Sequence, residues 1–386
     1  MRILFYQWNA FMQKDMEIAF KRMNIEYKVF SFPFREKKET DELMTGLRRE
    51  LNSTTYDALF SFNYRDEIAE CAHEAGIVYI AWVYDCPFGI SENEEILKYN
   101  TNHIFVFDGY TYRSLRDRGI QTVYHMDLAV NTSRVDRITL SVQDHKKYDA
   151  NIAFVGKLYS SSFIGFLKRI TEEQKGFVDR VIDEQSSVQG QYLLHRLTSD
   201  EAMLEGLQRT LEGEYHGYDW VFHESLQSLL AKEITRRDRV ILLLFLSEIY
   251  DGVALYTDCS DPLLTRVDMR GTVSSFEELF KTYKAARINL NITFRRIATG
   301  IPLRVLEILG AGGFLLTNRQ EEIVESFRPD EELVIYDGFE EAADKVGYYL
   351  SHEEERRKIA ENGHEAVKRF SYENQWKKIM RECGFS

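Results

Sequence analysis

The residues best suited to hold a charged ligand lie late in the chain. Asn289-Leu-Asn291-Ile-Thr293 is followed by Gly300-Ile-Pro302-Leu-Arg304-Val-Leu-Glu307, then by Gly310-Ala-Gly312-Gly313. That order reads as a strand, a loop, a short helix and a glycine turn. A loop ending on a helix N-terminus offers unbonded backbone N–H groups and the positive end of the helix dipole, and both favour a phosphate. Pro302 suits the first turn of such a helix. Arg304 adds a forked donor matched to a diphosphate. Glu307 follows one turn later on the same side, where a carboxylate can accept both hydroxyls of a ribose. The same residue types also fit a plainer arrangement, a buried helix on which Arg304 and Glu307 form a local ion pair.

A second group follows other strand-like runs. Gly156-Lys157-Leu-Tyr159-Ser160 comes after the apolar run Ala150 to Val155. The backbone of a glycine turn can approach a phosphate closely, although an ordinary tight turn reads the same way. Asp85 follows the run Val78 to Tyr84, with Pro87 fixing the turn behind it, and His125 ends the run from Thr122. Both are candidates to move a proton; a turn aspartate and a packed histidine are the structural alternatives. Asp108 is another carboxylate at a strand end. Gln7, Trp8 and Asn9 follow the first strand, and Trp8 suits either stacking on a sugar face or packing.

These positions depend on a regular alternation of elements. Strands are expected at Ile3 to Gln7, Tyr27 to Phe30, Ala58 to Phe62, Val78 to Tyr84, His103 to Phe107 and Thr122 to His125, with helical periodicity between them. Nearly continuous apolar strands alternating with helices imply a parallel sheet covered on both faces, and ligands bind such sheets beyond the carboxyl ends of the strands. A polar stretch from Asn131 to Tyr148 reads as a linker. A second alternating series follows, with strands at Ala150 to Val155, Val253 to Tyr256, Arg287 to Ile292, Phe314 to Thr317 and Leu333 to Tyr336. Residues 163–249 interrupt it as a helical insertion. The expected division is a first domain over 1–147, a second over 148–370, and a final helical segment, 371–386, crossing back to the first.

The chain has 386 residues, 44% of them hydrophobic and 29% charged, which is the balance of a two-domain globular protein. A formal net charge of −13 disfavours general nucleic-acid binding. The apolar start is too short for a secretory leader and the run Val240 to Leu246 is far short of a bilayer span. The four cysteines lack metal-ligand or disulfide-scaffold spacing, so a reduced, cytoplasmic setting is expected. No phosphate-loop signature, dinucleotide fingerprint or nucleophile elbow occurs in the sequence.

The phrases Ile288-Asn-Leu-Asn-Ile-Thr293, Gly300-Ile-Pro-Leu-Arg304, Gly310-Ala-Gly-Gly-Phe-Leu-Leu-Thr-Asn318 and Tyr348-Tyr-Leu-Ser-His-Glu-Glu-Glu-Arg356 resemble the C-terminal domain of the CgeB-like (spore maturation protein type) glycosyltransferases, a branch of the GT-B superfamily. Ala81-Trp-Val-Tyr-Asp-Cys-Pro87, Phe105-Val-Phe-Asp108 and Tyr148-Asp-Ala-Asn-Ile-Ala-Phe-Val-Gly156 are similar to the domain that often precedes it. The resemblance implies an α/β fold of two doubly wound, Rossmann-like domains facing a cleft. It implies transfer of a sugar from a nucleoside diphosphate sugar, a UDP-sugar first, with no required cofactor and no metal. The acceptor would be a protein of the flagellin or surface-layer type, a polysaccharide or a small molecule. Asn291, Thr293, Thr299, Gly300, Arg304 and Glu307 would then hold the donor with Gly156, Lys157 and Tyr159. Asp85 and His125 would be the proton-transfer candidates, and Gln7, Trp8 and Asn9 would line the acceptor side. Many related enzymes carry a Glu-x7-Glu pattern at the donor site; Glu307 matches its second position, and Thr299 stands at the first.

Overall fold

The structure, a computed structural model, describes residues 1–8, 10–32, 40–88, 94–159, 163–188, 190–210 and 219–385, with side chains left undescribed over 219–224. Asn9 and Ser160 lie outside these residues. Two compact units form: one from 1–131 with 369–386, the other from 132–368.

The first unit is built on six parallel strands: β1 (Arg2–Gln7), β2 (Glu26–Ser31), β3 (Ala58–Phe62), β4 (Val78–Val83), β5 (Asn102–Val106) and β6 (Val123–His125). Their spatial order is β2-β1-β3-β4-β5-β6. The burial of each strand follows its place in that order. β3 is buried at all five positions and reads as a continuous apolar run, whereas β2, on the edge, exposes Glu26 and Lys28. The register sets Phe5 beside Phe60, and these rings form one aromatic layer with Phe20 and Phe62.

The C-terminal helix Tyr372–Glu382 closes that layer. Ser371 caps it by accepting from the Asn374 N–H. Trp376, fully buried, packs edge-on against Phe20 and Phe60, with ring centroids 4.8 and 5.0 Å away. Gln375 donates to the Leu128 carbonyl at 3.3 Å, and Val130 N–H donates to the Phe370 carbonyl at 3.0 Å.

The second unit repeats the plan with β7 (Ala150–Val155), β8 (Val253–Tyr256), β9 (Asp268–Met269), β10 (Ala286–Asn291), β11 (Leu315–Asn318) and β12 (Val334–Tyr336). All pairings are parallel and the order is β12-β11-β10-β7-β8-β9. The chain builds outward from β7 through β8 to β9, then returns to the other side of β7 as β10. The gap between β7 and β10 is therefore where the winding reverses. At such a point the connections leave in opposite directions and open a crevice at the strand ends.

The insertion between β7 and β8 is helical, running through Phe163–Leu167, Glu172–Ser186, Leu194–Leu197, Glu201–Thr210 and the 31-residue helix Asp219–Ile249. It has its own apolar core of Phe163, Phe177, Val181, Leu230 and Ile234, and Phe294 joins that core from the loop after β10. The expected linker is not unstructured. Helices Thr132–Val135 and Val142–Tyr148 occupy it, the second held by a capping box between Ser141 and Asp144. Lys281 pairs with Asp144 at 3.2 Å and Tyr148 donates to Glu278 at 2.9 Å. This segment accordingly belongs to the second unit, and the division falls after Asn131 and not after residue 147. No described helix is long and apolar enough to cross a membrane.

Removing the Trp376 indole leaves a cavity in the aromatic layer. Trp376→Ala is expected to destabilise the first unit by about 3–5 kcal/mol. The exposed neighbour change Lys377→Ala should stay within about 0.5 kcal/mol. Urea-dependent hydrogen exchange at the amides of β3, measured in the intact chain, separates the two outcomes.

Candidate functional site

Two arginines bridge the ends of β7 and β10. Arg304, at the start of helix Leu303–Gly310, donates through Nε to the Val155 carbonyl at 2.7 Å and through Nη1 to Asn291 Oδ1 at 2.9 Å. Arg239, from the long insertion helix, is 1% exposed and donates to the Ile292 carbonyl through Nη2 at 2.8 Å, with a shorter bond from Nη1 to the Lys157 carbonyl. Both guanidiniums lie over the Phe154 ring, 5.0 and 5.1 Å from its centroid, a favourable setting for a cation.

Neither arginine pairs with a carboxylate among the described residues. Burial, and next the charge of Arg304, push Arg239 below the usual arginine range. The ion pair between Arg304 and Glu307 that the sequence allowed does not form, because Arg304 turns toward the strand ends. The result is two positive charges beside one another at the crevice, held by carbonyl dipoles and an aromatic face. Charge of this kind favours an anionic ligand.

Gly156 makes this packing possible. A Cβ built there would stand 2.7 Å from Arg304 Nη2 and 3.0 Å from the Phe154 ring. Its own N–H donates to the Tyr256 carbonyl at 3.0 Å, so the glycine supplies room for a guanidinium and not a phosphate donor. Lys157 is exposed, with its carbonyl bonded to Arg239. Tyr159 has a positive φ of 55° and its ring packs 5.0 Å from Phe294. Pro302 stands at the N-cap of helix Leu303–Gly310, and no side chain caps that end. An N-terminus left uncapped at the same crevice adds to its affinity for anions.

Asn291 organises the strand ends. Its Nδ2 donates to Thr293 Oγ1 at 3.0 Å and Thr317 Oγ1 at 2.9 Å, which aims its Oδ1 at Arg304. Thr293 N–H donates to Asn318 Oδ1 at 2.8 Å. Thr299 and Gly300 are buried in the loop before Pro302, and the Thr299 hydroxyl donates to Glu322 Oε1 at 2.7 Å. Glu307 is buried further along the helix, with the Tyr283 hydroxyl 3.5 Å away. Burial raises its carboxyl to about 7, against smaller opposing effects of Arg304 and the Tyr283 hydrogen bond.

In the first unit, Asp85 is exposed after β4 and accepts from Asn63 Nδ2 at 2.6 Å. Asn63, at a positive φ of 59°, also accepts the N–H groups of Tyr84 and Asp85 through Oδ1, so one side chain fixes the whole turn. Dehydration of the Asp85 carboxyl raises it above the ordinary aspartate value. His125 is at the end of β6, two strands from β4, with Nε2 3.3 Å from the Phe107 carbonyl. Asp108 caps helix Gly109–Asp117 by accepting from Thr111 N–H and Oγ1, a structural task. Gln7 donates to Glu17 at 2.9 Å; Trp8 donates to the Phe62 carbonyl at 2.9 Å and packs against the apolar core.

Arg239, Tyr283, Asn63 and Glu322 escape a reading of motifs because each reaches its site from another element. The run Arg236-Arg237-Asp238-Arg239 looks like the solvated face of a long helix. Only a turn-by-turn assignment of burial would have set Arg239 apart from Arg236 and Arg237, which pair with Glu233.

A glycosyl transferase-like family model matches residues 248–381. No curated protein matches the chain. Among solved structures, a glycosyltransferase from Rickettsia africae has a TM-score of 0.55 at 9% identity, covering 99% of this chain and 97% of that one. Sucrose-phosphate synthase from Thermosynechococcus elongatus has a TM-score of 0.54 at 10% identity, with coverages of 99% and 97%. HepE from Anabaena, crystallised with UDP and glucose, has a TM-score of 0.50 at 10% identity, with coverages of 100% and 99%. The likeness shows the fold: two doubly wound α/β units of the GT-B type.

The Glu307 carboxyl gives a pH test. Folded, it holds its proton up to about pH 7; unfolded, it loses it near the ordinary glutamate value of 4.5. Between those values folding takes up a proton, so this group's contribution to stability falls as pH rises, by up to about 3 kcal/mol across the window, and levels off above it. Glu307→Gln carries no such proton. Its stability relative to the unmodified chain should rise between pH 4.5 and 7 in denaturant unfolding, and a flat difference would show that Glu307 is ionised when buried.

Proposed function

We propose that the chain is a glycosyltransferase that moves a hexose from a nucleoside diphosphate sugar, a UDP-sugar first, to a hydroxyl-bearing acceptor. The observation that carries this reading is the pair Arg304 and Arg239 across the ends of β7 and β10, two cations that pair with no carboxylate among the described residues, at the strand reversal where α/β sheets bind ligands. The glycosyl transferase-like match over the C-terminal part of the chain supports it, as does the UDP bound by HepE, a protein of the same fold.

In this reading Arg304 and the uncapped end of helix Leu303–Gly310 take the diphosphate, while Arg239, out of reach behind them, adds charge and fixes both strand ends. Glu307 receives the ribose hydroxyls. The acceptor oxygen attacks the anomeric carbon, the bond from that carbon to the diphosphate oxygen breaks, and the diphosphate leaves with both electrons. Its developing charge falls on the two guanidiniums, which supply the electrostatic stabilisation that other sites obtain from a metal. The acceptor's proton goes to Asp85, whose raised carboxyl and single fixed orientation suit a general base. The acceptor is a glycan, a protein or a small molecule bound by the first unit.

Thr299, in place of a carboxylate, favours one competing reading, a binding module that holds nucleotide sugars without turning them over. A panel of UDP-, GDP-, ADP- and dTDP-sugars separates the two. Saturating donor should stabilise the chain by about 2–3 kcal/mol at a hundredfold excess over Kd, and an acceptor screen should give transfer. Arg304→Gln is expected to weaken nucleotide binding roughly 10- to 100-fold. Asp85→Asn should leave it intact and slow transfer by about 100-fold or more. Binding without transfer would favour the module, and no thermal shift with any nucleotide would end the donor-site assignment.

A further inference from the structure

Asn291 ends β10 directly beside Thr317 of β11, and it is 0% exposed. Both hydrogens of its amide are committed, to Thr293 Oγ1 at 3.0 Å and to Thr317 Oγ1 at 2.9 Å. Its oxygen accepts from Arg304 Nη1 at 2.9 Å. A side chain so enclosed has no surface for a ligand, and what it does for one must pass through Arg304.

The direction of these bonds is set from the far end. The Thr317 hydroxyl donates to the Asn318 carbonyl at 3.1 Å, so toward position 291 its oxygen can only accept. That places Nδ2 beside Thr317 and leaves Oδ1 for the guanidinium. The bonds run one way, from Arg304 through the amide and the hydroxyl to the Asn318 carbonyl.

An amide oxygen orients a guanidinium without carrying charge. The other support of Arg304 is also neutral, the Val155 carbonyl at 2.7 Å from Nε. An aspartate at 291 would have nearly the same shape, would be ionised beside two guanidiniums, and would turn this bond into an ion pair. The positive charge facing the crevice would then fall by one.

We propose that Asn291 is a positioning residue that holds Arg304 in place and leaves its charge to the ligand, so that position 291 decides whether the crevice takes a multiply charged anion. Selectivity for the diphosphate rests in this way on a side chain that does not touch it. The inference rests on the reading of this edge as a nucleoside diphosphate sugar site.

Calorimetric titration of the full chain with UDP, across two substitutions, tests it. Asn291→Asp keeps the shape and pairs with Arg304, and UDP should bind about tenfold weaker or worse. Asn291→Ala removes the support and keeps the charge, and UDP should bind only about threefold weaker. A purely structural role for Asn291 predicts the reverse order, because aspartate fills the space of the amide and alanine leaves a cavity. Urea unfolding of each variant shows that it is folded. If Asn291→Asp is not, Thr317→Val decides: it removes the hydroxyl that directs the amide, and UDP should again bind about threefold weaker. Equal or reversed order in the Asn291 variants, or unaltered affinity in Thr317→Val, overturns the role of Asn291 and leaves the donor site standing. If UDP does not bind the unmodified chain, the donor-site reading fails first and this inference with it.

Discussion

Two like charges side by side over one phenyl ring constrain the second unit more than any other feature. Arg239 and Arg304 both reach the gap between β7 and β10, and each bonds to groups on both sides of it. Such a pair is costly by itself. Carbonyl oxygens and the Phe154 face offset part of that cost without neutralising the charge. The remaining features follow from accommodating the pair. Position 156 must lack a Cβ, because the Arg304 guanidinium fills that space. Asn291 must turn its amide oxygen toward Arg304, and two threonine hydroxyls hold it there. The long insertion helix must pass behind β7 to deliver Arg239, which gives the insertion a task at the site besides building its own core.

The two ends of the proposed ligand meet different chemistry. On the nucleoside side, Glu307 is buried under Tyr283 and keeps its proton until about pH 7, so it can donate to or accept from a ribose according to pH. After β11, Glu322 accepts from the Thr299 hydroxyl. In the first unit the turn after β4 is fixed by a single asparagine, Asn63, and leaves Asp85 exposed with a raised carboxyl.

Much of this was legible in the residue order. Eleven of the twelve strands match apolar runs visible in the sequence, because parallel strands buried on both faces are nearly continuous in Val, Ile, Leu and Phe. β9 escaped notice because Asp268–Met269 is a two-residue edge strand with both residues exposed. The helices in the expected linker and at Phe276–Ala285 were announced by local signals that a search for apolar periodicity passes over: Ser141 with Asp144, and Ser275 with Glu278. Arg304 and Glu307 were readable because they share a motif. Arg239 was not, since its role depends on a tertiary path of 53 residues to Ile292. Glu322 was hidden for the same reason, and the threonine that looked like a missing carboxylate turned out to be bonded to one.

A crystal structure of the chain with bound UDP decides whether the arginine pair at the β7–β10 reversal is a diphosphate site. Diphosphate oxygens are expected within about 2.7–2.9 Å of the Arg304 guanidinium, with the ribose hydroxyls at Glu307 and Arg239 still bonded to the Ile292 and Lys157 carbonyls. UDP bound elsewhere on the chain, or bound with Arg304 unchanged and distant from every phosphate oxygen, would contradict it.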